Sequence, residues 1–587
     1  MKFLRNLLAS VLGFFIAIFI MFLFFALIGS AFADKEKTTV KENSILKLNF
    51  KKPILDDYNV ESPFSELFKE EPKVLKLHQI LNAIENAKTD KKIKGISIEI
   101  QSLKAGLAQT QEIRKKLKEF KESGKFITAY SNGYSQKNYY LSSVADSVYV
   151  NPLSGLDLKG LGADLLFFKD FEDKYGVKFE VIRHGKYKSA VEPFISNKMS
   201  EANRTQLTEL LQDIWMNFKQ EIGESRGKTI QEIDQIADSL GGRNAKLAMQ
   251  NNLVNDTIYH DQYEALLKKH LQVKDNKKLN YISIKDYILN GKGRKKVKLT
   301  VKDRIAVIYA QGEIKYGEGD ETYIGQESII KALRKAVKDK KVKAIVLRVN
   351  SPGGSALASD IIWHELEQVK KEKPLIVSMG NYAASGGYYI SCNADKIFAE
   401  PTTVTGSIGV FGMVPNVKEF ADRIGINAEQ VQTNKHSIPY SIFEPVSEDF
   451  KKVTKESIEH IYNTFLSRVA KGRKMTVKQV DEIAQGRVWS GTQAKKVGLV
   501  DEMGNLEDAI AYAAKLAKLK DYKIKNLPRY KKDLGKILSN SPFMKMKMHQ
   551  LIKEEIGSDN YKILNDFKQF SQLKGIQMRM PFVMEIK

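Results

Sequence analysis

Cysteine is almost absent from this chain, whose 587 residues include only Cys392. A single thiol cannot close an internal disulfide or build a cysteine-based zinc site. The usual nucleic-acid signatures are also missing, because the sequence has no RNP-type aromatic cluster, no zinc-ligand spacing and no basic-leucine pattern. The formal charge of +24 therefore fits a protein held beside an anionic bilayer better than one bound to nucleic acid. We expect neither a metal nor a cofactor.

Charge is missing from most of the N-terminal segment. Lys2 and Arg5 precede an almost unbroken apolar run, Leu7–Ala33. About 20 apolar residues cross a bilayer as a helix, and the preceding positive charges favour a cytoplasmic N-terminus. Ala31–Ala33 resembles a signal-peptide cleavage site, but a cleaved signal has an apolar region of only about 7–15 residues. We therefore predict that residues 1–33 are an uncleaved anchor and that the rest of the chain lies outside the cytoplasm.

The remainder of the chain contains an internal repeat. Lys94–Gly106 resembles Lys343–Ser355, and Lys125–Asp146 resembles Pro374–Asp395, at a constant offset of 249 residues. In both copies, apolar β-branched segments alternate with amphipathic ones. Strands separated by helices predict βα crossovers and hence two tandem α/β domains.

A chain of this length is too long for one hydrophobic core, and we divide it into five segments. They are an anchor (1–33), a charged linker (34–45), a first α/β domain (46–297), a second α/β domain (298–520) and a basic C-terminal extension (521–587). The extension contains Lys531-Lys532 and the Met/Lys-rich segment Met544–Met548, to which we assign no chemistry.

The second copy has a glycine turn that the first copy lacks. Its first strand ends in Asn350–Gly354 (NSPGG), whereas the first copy has Ser102–Ala105 (SLKA) at the same register. Paired glycines permit a positive φ and a close backbone approach to a ligand. Free N–H groups in such a turn suit an oxyanion hole. A tight turn without a catalytic role is the alternative interpretation of these glycines.

A serine framed by small residues follows the next strand of the second copy. Ser385 lies within Ala383–Gly387 (AASGG), and at the constant offset the first copy has Gln136–Asn138 (QKN). Small neighbours leave the hydroxyl uncovered, and the Gly386 N–H is able to face the carbonyl that a serine would attack. Because the first copy has lost the serine and both glycines together, we interpret Ser385 as a nucleophile.

A serine nucleophile needs a base, and histidine is the usual one. His364, His436 and His460 all follow the glycine turn. None of them has glycine neighbours. We expect all three on the surface.

A desolvated lysine is the other candidate base. The first-copy segment His184–Phe194 contains two lysines; Lys186 corresponds to Lys435 of the second copy, but Lys188 corresponds to Ser437. A lysine with its ordinary pKa of about 10.4 is almost fully protonated at neutral pH, so burial would have to lower that pKa. We predict that Lys188 is the base, so that the first domain supplies the lysine and the second the serine.

Four motifs together resemble one protease family. They are RVNSPGGS (348–355), AASGGYYIS (383–391), TVTGSIGVFG (403–412) and GKYKSAVEPF (185–194). The sequence resembles the long, duplicated bacterial form of the signal peptide peptidase A (protease IV) family over nearly everything after the linker.

The resemblance implies two tandem Clp-protease/crotonase-like domains after an N-terminal transmembrane helix. It implies a serine endopeptidase that degrades remnant signal peptides and other unstructured apolar peptides, with Ser385 as nucleophile and Lys188 as general base. Backbone N–H groups of Gly354 and Gly386 would form the oxyanion hole. It also implies a single-pass protein of the bacterial inner membrane, with its catalytic part on the periplasmic side and four chains in a ring.

Two other functions remain open from the residues. A crotonase-type acyl-CoA enzyme shares the glycine turn, but it needs no Ser–Lys pair and no export anchor. An inactive scaffold predicts motif loss in both copies, whereas the losses here are complementary. The sequence also leaves open whether Ser385 and Lys188 meet within one chain or between neighbouring chains.

Overall fold

The computed structural model describes residues 2–32, 39–58, 60–61, 73–295, 297–531 and 576–580. Its first element is the helix Lys2–Phe32, whose stretch Arg5–Phe24 has 20 residues and a mean hydropathy of 2.8. Among the described residues this is the one helix long and apolar enough to cross a membrane. Part of the predicted linker and the segment Met544–Met548 lie outside the described residues.

The first half of the chain forms a six-stranded sheet, which we call the first sheet. Its strands, in spatial order, are Asn280–Ser283, Ser44–Leu48, Ile93–Ile98, Phe126–Ser131, Ser147–Val150 and Asp256–Thr257. All neighbouring strands run parallel. Each connection therefore crosses over the sheet, and helices such as Leu107–Lys121 form the crossovers.

The second half forms a sheet with the same spatial order, which we call the second sheet. Its corresponding strands are Lys523–Leu527, Arg304–Gln311, Val342–Ser351, Leu375–Ala384, Lys396–Ala399 and Glu502–Met503, and Leu375–Ala384 also pairs with Val404–Gly406, which pairs with Val488–Ser490. This shared order confirms two tandem α/β copies. Lys523–Leu527 follows residue 520, so this sheet takes an edge strand from the predicted C-terminal extension. The segment limits themselves stay predictions.

Helices alternate with strands in both halves, and several corresponding helices have the same length. After the N-terminal helix, the longest helices among the described residues are Glu201–Arg226 and Glu448–Arg473, with 26 residues each. Ser200 and Ser447 cap them, because each side chain accepts a hydrogen bond from the backbone N–H three residues on. The other α-helices are Leu77–Thr89, Leu107–Lys121, Gln136–Ser142, Lys169–Tyr175, Glu192–Ile195, Ile230–Asp238, Ala245–Gln250, His260–His270 and Ile284–Tyr287 in the first half, and Gln326–Lys338, Ala356–Glu372, Gly386–Tyr389, Lys418–Arg423, Val477–Ile483, Gly491–Lys496 and Leu506–Leu516 in the second.

A third sheet joins the two copies, and we call it the bridging sheet. Its strands, in spatial order, are Tyr323–Gly325, Glu313–Lys315, Gly353–Ser355, Gln577–Arg579, Val410–Asn416 and Lys178–His184. One strand comes from the first copy, four from the second and one from the C-terminal extension. Two-stranded sheets also form between Ile54–Leu55 and Leu75–Lys76 and between Val60–Glu61 and Tyr530–Lys531. The bridging sheet brings residues more than 150 positions apart to one place.

Candidate active site

Ser385 lies where the strand Leu375–Ala384 ends and the short helix Gly386–Tyr389 begins. Its backbone has φ 55° and ψ −116°, a conformation that residues other than glycine seldom adopt. The Ser385 N–H donates a 2.8 Å hydrogen bond to the carbonyl oxygen of Gly406, which holds the residue in this conformation. Strained residues of this kind concentrate at functional sites.

Lys188 reaches the same point from the first copy. It follows the strand Lys178–His184, which pairs antiparallel with Val410–Asn416 of the second copy. The Tyr187 N–H donates a 2.9 Å hydrogen bond to the carbonyl oxygen of Gln485. These contacts carry the lysine across the boundary between the two copies, so that the two halves of the predicted dyad meet within one chain.

The Lys188 amine lies among three oxygen atoms. Its Nζ is 2.9 Å from Ser385 Oγ, 3.0 Å from Ser407 Oγ and 3.1 Å from the carbonyl oxygen of Ser407. The sequence reasoning missed Ser407, although it lies inside the motif TVTGSIGVFG. Two N–H bonds directed at Ser407 would leave the lone pair of a neutral amine facing the Ser385 hydroxyl.

The electrostatic setting of Lys188 disfavours the charged form. Lys188, Ser385 and Ser407 are all completely buried. Burial lowers the pKa of Lys188 well below its ordinary value, and burial is the only cause of the shift. Among the described residues no carboxylate forms an ion pair with it. A neutral amine beside a serine hydroxyl is able to accept the hydroxyl proton.

The glycine turn lies against the Ser385 segment. Gly353 and Gly354 have φ values of 99° and 152°, which other residues rarely adopt. A Cβ atom at Gly353 would lie only 2.8 Å from the backbone nitrogen of Gly386. The two predicted oxyanion donors, the N–H groups of Gly354 and Gly386, therefore belong to segments in direct contact beside the serine.

The corresponding region of the first copy is filled by side chains that bind backbone groups. Lys137 Nζ donates a 2.7 Å hydrogen bond to the carbonyl oxygen of Ala105. Asn138 accepts a hydrogen bond from the N–H of Leu103 and donates one to the carbonyl oxygen of Gln101. These residues hold the turn that corresponds to the glycine turn, so the first copy has polar side chains bound to the backbone where the second has a serine and glycines.

The other lysines and histidines considered from the sequence are exposed, unlike Lys188. Lys186 is exposed, with its amine 5.0 Å from the ring centre of Tyr187. Lys435 is also exposed and forms a 2.5 Å ion pair with Asp449. The three histidines considered as bases are exposed as predicted, namely His364, His436 and His460.

A cluster of buried charged residues contacts the glycine turn and could not be predicted from the sequence. The guanidinium of Arg348 lies 3.1 Å from an oxygen of Asp56 and 2.5 Å from one of Glu112, and all three side chains are buried. Asp56 also accepts a 2.8 Å hydrogen bond from Asn350, which begins the glycine turn. Asp56 and Glu112 belong to the first copy and Arg348 to the second, so this cluster fixes the turn across the boundary between the copies.

Comparisons with a family model and with known proteins all point to the same family of peptidases. The model of peptidase family S49 matches residues 119–274 and 367–520. The chain is 37% identical over 530 residues to Protease 4 of Haemophilus influenzae, covering 88% of this chain and 85% of that protein. It is 40% identical over 456 residues to Protease 4 of Salmonella typhi, covering 76% and 73%. With the chloroplastic serine protease SPPA of Arabidopsis thaliana it shares 33% identity over 488 residues, covering 82% and 70%.

Among solved structures, the chain is similar to a ClpP1 mutant from Listeria monocytogenes. That similarity covers 35% of this chain and 94% of that one, at 17% sequence identity and a TM-score of 0.25. The family model matches both copies of the repeat, and the relatives match along most of their length. The predicted resemblance is confirmed: the chain belongs to peptidase family S49 and is a serine peptidase.

Proposed function

We propose that this chain is a membrane-anchored endopeptidase in which Ser385 is the nucleophile and Lys188 the general base. The observation that supports this most is the 2.9 Å separation of Lys188 Nζ and Ser385 Oγ in a buried site. A lysine with a purely structural role would be expected to pair with a carboxylate when buried. The described residues around Lys188 offer it hydroxyl and carbonyl oxygens instead.

The first half of the proposed reaction forms an acyl-enzyme. Neutral Lys188 takes the proton of the Ser385 hydroxyl while the oxygen attacks the peptide carbonyl carbon. The N–H groups of Gly354 and Gly386 stabilise the negative charge that develops on the carbonyl oxygen. The lysine then gives its proton to the departing amine, and the peptide C–N bond breaks.

In the second half of the reaction, a water molecule hydrolyses the acyl-enzyme. Neutral Lys188 takes a proton from a water molecule, which attacks the ester carbon held by Ser385. The same N–H groups stabilise the second oxyanion, and the lysine returns the proton to the serine oxygen. Ser407 orients the amine throughout, because its carbonyl and hydroxyl oxygens remain acceptors for the lysine N–H groups.

The proposed substrates are remnant signal peptides and other unstructured apolar peptides. The helix Lys2–Phe32 supports membrane anchoring, and Lys2 and Arg5 support a cytoplasmic N-terminus with the catalytic part on the periplasmic side of a bacterial inner membrane. The resemblance to the duplicated family supports four chains in a ring. A chain fixed at the bilayer would meet such peptides where they are released.

Replacement of the proposed nucleophile tests the function. Ser385→Ala should abolish cleavage of unstructured apolar peptides while the circular dichroism spectrum stays that of the wild type. Lys186→Ala is the matched control, because that lysine is exposed, and it should retain most of the activity. Wild-type turnover by purified Ser385→Ala, with contaminating peptidases excluded, would contradict the proposal.

Membrane fractionation tests the anchor separately. The chain should sediment with membranes, resist extraction by alkaline carbonate and keep residues 1–33 in its intact mass. A mature protein that begins at Asp34 would refute the anchor and would leave the proposed dyad unaffected.

A further inference from the structure

A short part of the C-terminal extension lies beside the candidate active site. The strand Gln577–Arg579 inserts into the bridging sheet between Gly353–Ser355 and Val410–Asn416. It runs antiparallel to Gly353–Ser355, the strand that contains the glycine turn. We call residues 576–580 the tail segment. The proposed dyad gives this segment no role.

Backbone hydrogen bonds fix the register of the tail segment. The Met580 N–H donates a 2.7 Å hydrogen bond to the carbonyl oxygen of Pro352, and the Ala356 N–H donates one of 3.4 Å to the carbonyl oxygen of Ile576. In an antiparallel ladder, opposed residues alternate between hydrogen-bonded and non-bonded pairs. The pair midway between these two is therefore a hydrogen-bonded one.

That midway pair is Gly354 and Met578. The N–H proposed as an oxyanion donor at Gly354 thus faces the carbonyl oxygen of Met578. A Cβ atom at Gly353 would overlap the same oxygen, and one at Gly386 would lie 3.2 Å from it. The Met578 carbonyl therefore lies between the two glycine segments, where the carbonyl of a bond about to be cleaved belongs.

The side chains of the tail segment are held as firmly as its backbone. Met578 is completely buried, and Met580 is 4% exposed. The Arg579 guanidinium lies 3.5 Å from a carboxylate oxygen of Glu313. Apolar side chains thus enter the core on either side of a basic residue, a pattern that matches an extended peptide bound by strand addition.

We propose that the tail segment is a tethered ligand of the peptide-binding groove, with Met578 in the position of the residue whose carbonyl is attacked. This inference builds on the proposed function and deepens it. While the segment is bound, it occupies the backbone positions next to Ser385 that a substrate needs. A substrate peptide must displace it, so the extension is an intramolecular competitor.

The sequence of the tail segment also indicates which class of peptides the groove binds. Peptides that bind in the same register present backbone groups to Gly353–Ser355 and a long, unbranched apolar side chain at the position of Met578. A second apolar residue two positions later would replace Met580. Segments of this kind, extended and without charge at these two positions, are the substrates that compete best.

Point variants in the full-length chain test the competition. Met578→Pro removes the N–H that pairs with Gly354, and Met578→Asp places a charge at a fully buried position; Met578→Leu is the conservative control. A flexibly tethered ligand has an effective concentration in the millimolar range, so we expect the first two variants to lower KM for a short apolar peptide by roughly tenfold. Their kcat should stay constant, and Met578→Leu should behave as wild type. Unchanged or higher KM in both variants would overturn the proposal.

A binding measurement separates this proposal from the proposed catalytic function. In a Ser385→Ala background, fluorescence anisotropy follows a labelled synthetic peptide with the sequence of residues 574–582. We expect roughly tenfold tighter binding when Met578→Asp is added to that background than without it. Equal affinities would overturn the tethered ligand. Tighter binding together with residual turnover by Ser385→Ala would support the tethered ligand but contradict Ser385 as the nucleophile. Thermal melts of each variant identify any that fail to fold, and Met578→Pro then replaces Met578→Asp.

Discussion

An alanine has no room at Gly486, because its Cβ atom would lie 2.6 Å from the backbone nitrogen of Lys188 and 2.7 Å from the lysine Cα and Cβ atoms. Gly486 comes from the second copy and Lys188 from the first. Its N–H also donates a 2.7 Å hydrogen bond to the carbonyl oxygen of Ile408, next to Ser407. A glycine of one copy thus sets how closely the lysine of the other approaches.

Gly486→Ala should therefore displace the amine from Ser385. We expect kcat/KM to fall by about 100-fold, since small displacements of reacting groups have effects of that size. Gly425→Ala is the matched control: both glycines have positive φ, 84° and 78°, but a Cβ at Gly425 would meet nothing within 4 Å. Equal activity losses in the two variants would mean that backbone strain, and not the lysine position, causes the effect.

Ser407→Ala should lower kcat and leave KM nearly unchanged. The variant keeps the carbonyl acceptor for Lys188 but loses the hydroxyl at 3.0 Å, so the amine is less well oriented. Lys188 becomes charged as it takes the serine proton, and a hydrogen bond to a charged group contributes about 1.5–3 kcal/mol, which corresponds to roughly 10- to 100-fold in kcat. Ser97→Ala, which removes a buried hydroxyl of the first sheet, should retain wild-type kcat. A Ser407→Ala enzyme with full kcat would remove Ser407 from the mechanism.

Lys188→Met should stabilise the protein at neutral pH. The folded state holds the lysine pKa well below its ordinary value, so between the two values the unfolded chain binds the extra proton. The wild-type free energy of unfolding therefore rises with pH through that window and levels off above the unfolded pKa of about 10.4. Methionine at position 188 removes this pH dependence of the free energy of unfolding. Denaturant midpoints measured from pH 6 to pH 10 should show a variant advantage that shrinks as the pH rises.

Lys186→Met is the control for that series. Its amine is exposed, so the substitution should leave the pH dependence of the midpoint unchanged. A pH-independent difference between Lys188→Met and the wild type would show that the folded state tolerates the charged amine.

Glu400→Gln should stabilise the folded protein at alkaline pH. Burial, with the nearby Glu112 carboxyl adding to it, raises the pKa of Glu400 to about 8. A raised carboxyl pKa means that the folded state binds more protons than the unfolded state between about pH 4.3 and pH 8, so stability falls as pH rises through that window. The glutamine removes the loss, by at least about 1 kcal/mol at pH 9. The exposed Glu372→Gln is the control, and equal pH profiles for the two variants would contradict the prediction.

The two tandem copies, each with strands that alternate with helices, follow from patterns visible in the sequence. The offset of 249 residues singled out Lys188 over Lys186, because only comparison of the two copies separates two lysines two positions apart. The apolar segment Leu375–Met379 is recognisable as a strand because a strand buried on both faces needs apolar residues on both.

The bridging sheet was not predictable in the same way. The strands Gly353–Ser355 and Gln577–Arg579 have three residues each, too few for a periodic pattern. Their pairing depends on backbone groups that every residue has. The Asp56–Arg348 contact was missed for a related reason, since a charged residue within a strand segment gives no indication of a partner 292 positions away.

Covalent labelling of the wild type and Lys188→Met with a fluorophosphonate probe, followed by peptide-mapping mass spectrometry, tests the Ser385–Lys188 dyad most directly. The dyad predicts a phosphonyl adduct on Ser385, forming faster as the pH rises through the lowered lysine pKa. In Lys188→Met the same adduct should form at least about 100-fold more slowly. An adduct on another serine, or labelling of Ser385 at the wild-type rate in Lys188→Met, would contradict the Ser385–Lys188 dyad.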